Sequence, residues 1–355
     1  MSVEYTRVDR EFYERRLSPR LPERLIDIHT HVWLAAHEVP GHGGQRRSAD
    51  WAEAIAADNP IPTLAETYRT YFPDRESSAV VFGFPGRQYD IDAVNDYVAA
   101  GARDAGFDPL LLTVPEWDAA EFERRLDAGR FLGAKVYLNF APAHLAADEI
   151  GVFDFTPPHQ LDVLNRRKSL LILHIPRAGR LADPRNVADL LEIAHNWPDV
   201  QVVIAHVGRA YCPGDLGESL AALRDAPSLL LDIAANTNAW VFEQAVRAVG
   251  PQRMLFGSDL PITRMRMTRL CEGNSYVNLV PPGAYPGAAG DPHCREVAGD
   301  QADRLTLFLY EEIATFLDAA DSAGLAASDL DDVFWRNADN MLATAGTVYR
   351  STQEG

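Results

Sequence analysis

Cysteine is scarce in this 355-residue chain: Cys212, Cys271 and Cys294 are the only three, and no two form a CxxC pair. The expectation is a reducing cytoplasm and no disulfide framework. Long apolar runs are missing too; none approaches the roughly 20 residues that a membrane span needs. The opening stretch, MSVEYTRVDREFYERR, lacks an apolar signal core and reads as unprocessed. Basic residues are in deficit, 33 Lys and Arg against 51 Asp and Glu, for a formal charge of −18. An acidic body without a long basic run repels phosphates, so neither nucleic acid nor an anionic membrane is an expected partner. A small anionic substrate stays admissible, because arginines inside a cleft override net charge. No GxGxxG follows the first apolar run, which argues against a doubly wound dinucleotide fold.

What the chain does have is rhythm. Eight short apolar runs recur: 25–33, 78–85, 110–117, 133–140, 169–176, 200–208, 229–237 and 253–262. Their near-continuous Val, Ile and Leu content suits strands buried on both faces. Amphipathic stretches lie between them, with helix starts at Asp118, at Asp183-Pro184 and at Asp215. Eight βα units in a row predict an α/β fold, a (β/α)₈ TIM barrel. The expected organisation is an N-terminal extension over 1–24, one barrel domain over 25–347 and a tail over 348–355. Long irregular loops are predicted after the first and last strands, over 34–77 and 263–299, with two helices over 300–347.

Polar residues close several of the apolar runs. His29 and His31 stand two apart on the first, so both side chains share a face. His174 ends the fifth run, His206 the sixth and Asp259 the eighth. Those strand ends are where a barrel enzyme places its active groups. Buried His and Asp are costly without partners, and a shared ion satisfies all of them together. Three neutral imidazoles and one carboxylate from His29, His31, His174 and Asp259 suit one divalent ion. His206 is then free to hold a second ion or to act as acid or base, and Asp259 can also take a proton. Asp27 shares the parity of the histidine pair one layer deeper, where a structural role is expected.

This pattern resembles the amidohydrolase superfamily, and most closely its amidohydrolase-related branch. The matching features are HxH on the first strand, His on the fifth and sixth, and Asp in a GSD motif on the eighth. They span residues 25–345. The branch contains amidases, lactonases and aminocarboxymuconate-semialdehyde-type decarboxylases. The resemblance implies that His29, His31, His174 and Asp259 bind zinc or a similar ion, and that His206 is catalytic. In binuclear members a carboxylated lysine on the fourth strand bridges two metals. Lys135 lies on that strand, five residues before its end, so a carboxylated bridge, an ion pair with Asp27 or a similar carboxylate, and substrate binding all stay open.

Arg177, Arg209 and Arg264 follow the strand ends and are candidates to grip a substrate carboxylate, with Trp33 and Asn236 as pocket lining. The leading expectation is hydrolysis of an amide, cyclic amide or lactone by an activated water, with a small carboxylate-bearing molecule as substrate. Non-oxidative decarboxylation of an unsaturated or aromatic acid is the second. A homodimer is expected on base rates.

Overall fold

The computed structural model describes residues 3–41, 55–285 and 288–351. The apolar runs form nine parallel strand segments: β1 Arg24–His31, β2 Glu76–Phe82, β3 Asp108–Pro109, β4 Leu111–Leu112, β5 Gly133–Val136, β6 Leu170–Leu173, β7 Gln201–Ile204, β8 Leu229–Asp232 and β9 Met254–Leu255. Segment β3 lies just before the third run and β4 within it, and together they form one stave, so the nine make eight staves. Neighbours in sequence are neighbours in space, in the orders β1-β2-β3 and β4 through β9. Backbone bonds from Leu110 to Val81 and from Leu132 to Pro109 stitch the third stave across its break. The ring closes where the chain after β9 meets β1: Ile28 N donates to Phe256 O at 2.9 Å, Asp259 N to His29 O at 2.8 Å and His31 N to Leu260 O at 2.9 Å.

Alternation along each strand builds two apolar layers. Ile26, Ile28, Phe82, Ile172, Val203 and Leu255 belong to the inner cluster. Ala338, Met341 and Ala345 of the helix Asn337–Ser351 pack into that same cluster and cap the end where the strands begin. The opposite side chains, such as Val81, Leu171, Ile204 and Leu231, meet the surrounding helices. Asp118 caps the helix Ala119–Gly129 and Asp183 the helix Pro184–Asn196, as their sequence signals predict.

Several expectations need correction. Asp215 caps no α-helix; it accepts from Cys212 N and pairs with Arg180, and the next helix starts at Ser219. The 34–77 connection includes a regular helix, Ile61–Tyr71. The 263–299 connection carries a small sheet of β10 Thr268–Glu272, β11 Ser275–Val280 and β12 Cys294–Glu296. The C-terminal region is more broken than two helices, with helical segments at Asp300–Asp303, Phe308–Ala323, Ala327–Asp331, Asp332–Arg336 and Asn337–Ser351.

Cys212 and Cys271 form a disulfide, against the expectation of free thiols, while Cys294 is free. They lie 59 residues apart and meet because β10 folds back over the loop that follows β7. No spacing rule sees such a tertiary contact. Among the described residues, no helix is long and apolar enough to cross a membrane.

Candidate metal centre

The histidine pair reaches the barrel interior through an irregularity. In β1, Asp27 pairs with Ala79 but Thr30 with Val81, so one extra residue is accommodated between them. This bulge reverses the alternation. Asp27 is therefore not in line with the histidines: its carboxylate accepts from Tyr68 Oη at 2.6 Å, and Tyr68 belongs to the helix outside the strand. Its other oxygen receives His29 N at 3.1 Å and Ser258 N at 2.9 Å, tying the bulge to the strand end that carries Asp259. Burial pushes the Asp27 carboxyl up to about 7.

Among the described residues, His29, His206 and Asp259 each offer a donor atom within 4.8 Å of the others. His31 Nε2 stands 3.2 Å from Asp259 Oδ1, and His29 Nε2 stands 3.6 Å from the same oxygen. The His174 ring lies 5.3 Å from that of His206, and its buried Nδ1 has no hydrogen-bond partner. All five predicted residues thus converge, with His206 inside the tightest group and His31 and His174 flanking it.

Two of the rings are aimed by their other nitrogen. His29 Nδ1 is 2.9 Å from Asp232 Oδ2, and His206 Nδ1 is 2.9 Å from Ala234 O. Both rings thus turn Nε2 toward the interior, where that of His29 also meets the Lys135 amine at 3.1 Å. Burial holds His29 and His174 well below the usual imidazole value and lowers His206 to about 4. Neutral imidazole is the ligating form. Burial works against ionisation of Asp259, yet the hydrogen bond to His31 and the imidazoles around it draw its carboxyl below the usual range. A set of neutral imidazoles around one ionised carboxylate, with a buried nitrogen unpaired at its edge, fits a divalent cation.

The backbone is strained at the same place. His206, Val207, Gly208 and Arg209 have φ of 61°, 49°, 61° and 60°, a single left-handed turn, and Asp259 has φ of 57°. Such turns cost L-residues roughly 1–2 kcal/mol each, and strain of this kind gathers at functional sites. At Gly208 a Cβ would approach the Leu181 side chain to 2.8 Å.

Asp232 is the residue that sequence reasoning passed over. Besides His29 it accepts from His206 N at 2.6 Å and Ala234 N at 3.1 Å, so one carboxylate positions two of the clustered histidines. The signal was present: an acid interrupts the seventh apolar run, and it ends β8.

Lys135 points inward and is fully buried, but its partner is not Asp27. Its Nζ is 3.1 Å from His29 Nε2 and 4.9 Å from the centre of the Phe82 ring. The bulge that turns Asp27 outward removes the expected pair. Burial lowers Lys135 to about 8, against the pull of Asp259 and Asp232.

The remaining candidates mostly serve the frame. Arg177 bonds Asp183 and the Asp148 carbonyl. Arg264 donates to Asn59 and Thr67, and Asn59 in turn donates to His31 O. Asn236 holds Ala210 O, and Trp33 is fully buried with its indole on Ala57 O. Arg209 reaches the carbonyls of Ile175, Pro176 and Arg177, and its charge acts on His174. His42 lies outside the described residues.

A family model described as amidohydrolase matches residues 26–343. The chain belongs to the amidohydrolase family. No curated protein sequence matches it. Among solved structures, an amidohydrolase from Burkholderia multivorans with bound HEPES is 14% identical over 90% of this chain and 99% of its own, with a TM-score of 0.56. A zinc-bound form of a Burkholderia multivorans amidohydrolase gives 15%, the same coverage and 0.52. A 5-carboxyvanillate decarboxylase mutant from Novosphingobium aromaticivorans, with bound manganese, is 13% identical over 92% and 98%, at 0.55. A protein from Pseudomonas putida, provisionally named a 2-pyrone-4,6-dicarboxylic acid hydrolase, is 14% identical over 91% and 99%, at 0.51. At these identities the likeness establishes the shared barrel fold.

Proposed function

We propose that this amidohydrolase-family chain is a metal-dependent hydrolase that opens an amide, cyclic amide or lactone of a small carboxylate-bearing molecule. The observation that carries the reading is the meeting of His29, His206 and Asp259 donors within 4.8 Å, flanked by His31 and His174. His29, His31, His174 and Asp259 would hold one divalent ion, with zinc the first candidate. Bound there, the ion polarises a carbonyl and acidifies water.

The protein's part is positioning and proton handling. Asp232 keeps the His29 proton on Nδ1, so Nε2 faces the cleft. His206, kept neutral by burial and oriented by Ala234 O, is the base or acid at Nε2. Asp259, ionised among imidazoles, can take and relay a proton. Arg209 is the arginine best placed to attract a substrate carboxylate, since its charge is felt at His174.

Decarboxylation of an unsaturated or aromatic acid is the second reading, favoured by the manganese-bound decarboxylase among the structural relatives. Metal analysis, chelation and metal return on a panel of lactones, amides and aromatic acids test both. One ion per chain, activity lost on chelation and ring opening with uptake of water are expected. Carbon dioxide release without water uptake reverses the order of the two readings. Full activity in Asp259→Ala sinks both.

A further inference from the structure

Next to His206, a single peptide unit is hydrogen-bonded at both of its ends. Its oxygen, Ala234 O, accepts from His206 Nδ1 at 2.9 Å. Its N–H, that of Ala235, donates to Glu312 Oε2 at 2.6 Å. The unit is held in an unfavourable setting: Ala235 has φ of 49°, a left-handed value that costs an L-residue roughly 1–2 kcal/mol. Relaxing that angle would turn the peptide, and with it the oxygen that meets His206. Glu312 lies on the helix Phe308–Ala323 and is wholly buried. Among the described residues it has no ion pair, and the bond to Ala235 N is the only one its side chain makes. Packing alone would favour an apolar side chain there, because a buried acid is costly. The next carbonyl is held too, since Arg269 Nη1 of β10 donates to Ala235 O at 2.5 Å.

We propose that Glu312 is a positioning residue for His206, acting through the peptide unit between Ala234 and Ala235. Gripping the N–H fixes the peptide plane, and the plane sets where the Ala234 oxygen lies. That oxygen can only accept, so the His206 ring proton stays on Nδ1 and the lone pair on Nε2. A carboxyl oxygen on the N–H also polarises the peptide and strengthens its carbonyl as an acceptor. Asp232 does the complementary work by accepting from the His206 backbone N at 2.6 Å. The catalytic consequence rests on the acid–base role proposed for His206; the hold on its ring does not.

The test is NMR of the full chain carrying isotope-labelled histidine, metal-free and zinc-loaded, with His206→Gln to assign the ring signals. The wild type should show a His206 Nδ1–H proton in slow exchange with water. Glu312→Met fills similar space without an acceptor and should quicken that exchange by roughly tenfold. Glu312→Gln, whose amide oxygen accepts the same N–H, should keep the wild-type signal. On a substrate that is turned over, Glu312→Met should lower kcat by roughly 10- to 100-fold at nearly unchanged KM and zinc affinity. Glu312→Ala takes its place should Glu312→Met not fold. A ring signal that responds without a change in kcat supports the positioning and removes the acid–base role of His206. Three results overturn the proposal: a wild-type ring proton that is not on Nδ1, unchanged exchange without the acceptor, or equal loss of the signal in Glu312→Gln and Glu312→Met.

Discussion

Replacing Asp232 by Asn is the sharpest probe of the centre. In the wild type, Oδ1 accepts the backbone N–H groups of His206 and Ala234, while Oδ2 faces His29 Nδ1. An asparagine keeps a carbonyl oxygen for the two backbone donors, so the frame is retained. It puts an N–H₂ where Oδ2 stood, and that group can only donate to His29 Nδ1. The ring proton is then driven to Nε2, the atom that faces Asp259 and the cleft. Losing an orienting partner of a ligating histidine typically weakens metal affinity by about 10- to 100-fold, or about 1.4–2.7 kcal/mol. Alanine is a poorer test, since it also strands two buried N–H groups at about 1–3 kcal/mol each. Zinc affinity of Asp232→Asn should be measured by chelator competition, alongside urea unfolding of the metal-free protein. Weakened affinity with nearly unchanged apo stability is expected. Wild-type affinity would refute the tautomer argument, and the assignment of His29 Nε2 as a ligand with it.

Other consequences reach into the fold. Asp9, fully buried, receives Arg266, Thr6 and Thr306, so Asp9→Ala should cost about 3–5 kcal/mol in urea unfolding. Burial alone would raise the Asp9 carboxyl, but these donors hold it below its ordinary value. Its contribution is therefore complete above the unfolded carboxylate range, and the wild-type advantage should shrink as pH falls below about 4; a constant gap contradicts this. Glu312 is the opposite case. Burial drives its carboxyl well above normal and its Oε1 is unpaired, so wild-type stability should fall as pH rises from about 4.5 towards the raised value. Glu312→Gln should gain on wild type with pH across that range, and parallel thermal unfolding profiles would count against the account. Closing a loop across 59 residues is worth about 4 kcal/mol of chain entropy, so Cys212→Ser with Cys271→Ser should lower the denaturant midpoint. Three titratable thiols in the unreduced native protein would show that the bond is absent.

Much of the barrel was legible because burial on both faces leaves a local trace. Each stave needs a run of apolar residues whatever its neighbours are, and the eight runs appear in chain order. The five clustered residues were legible for a related reason: His29, His31, His174, His206 and Asp259 interrupt or close runs that would otherwise stay apolar. Asp232 carried the same mark, in LLLD, and belonged with them. Asp27 was misplaced because strict alternation was assumed across β1. The bulge between Asp27 and Thr30 depends on pairing with β2 and has no local signature.

The arginines show another limit. Arg177 and Arg264 follow strand ends as substrate-gripping residues would, yet their partners are Asp183, the Asp148 carbonyl, Asn59 and Thr67. A long charged side chain can turn either way from its strand end, and only the packed neighbours choose.

By itself, the sequence determined the succession of strands and the residues available to hold an ion, since both rest on short-range pattern, and its motifs carried the family through their resemblance to it. The tertiary structure decided the rest. It brought His206 into the tightest donor group, turned Asp27 outward, set Lys135 against His29, assigned Asp232 to aim His29 and joined Cys212 to Cys271. Each of these depends on which distant segment comes to lie alongside, and ring closure and register settle that only when all the staves are in place.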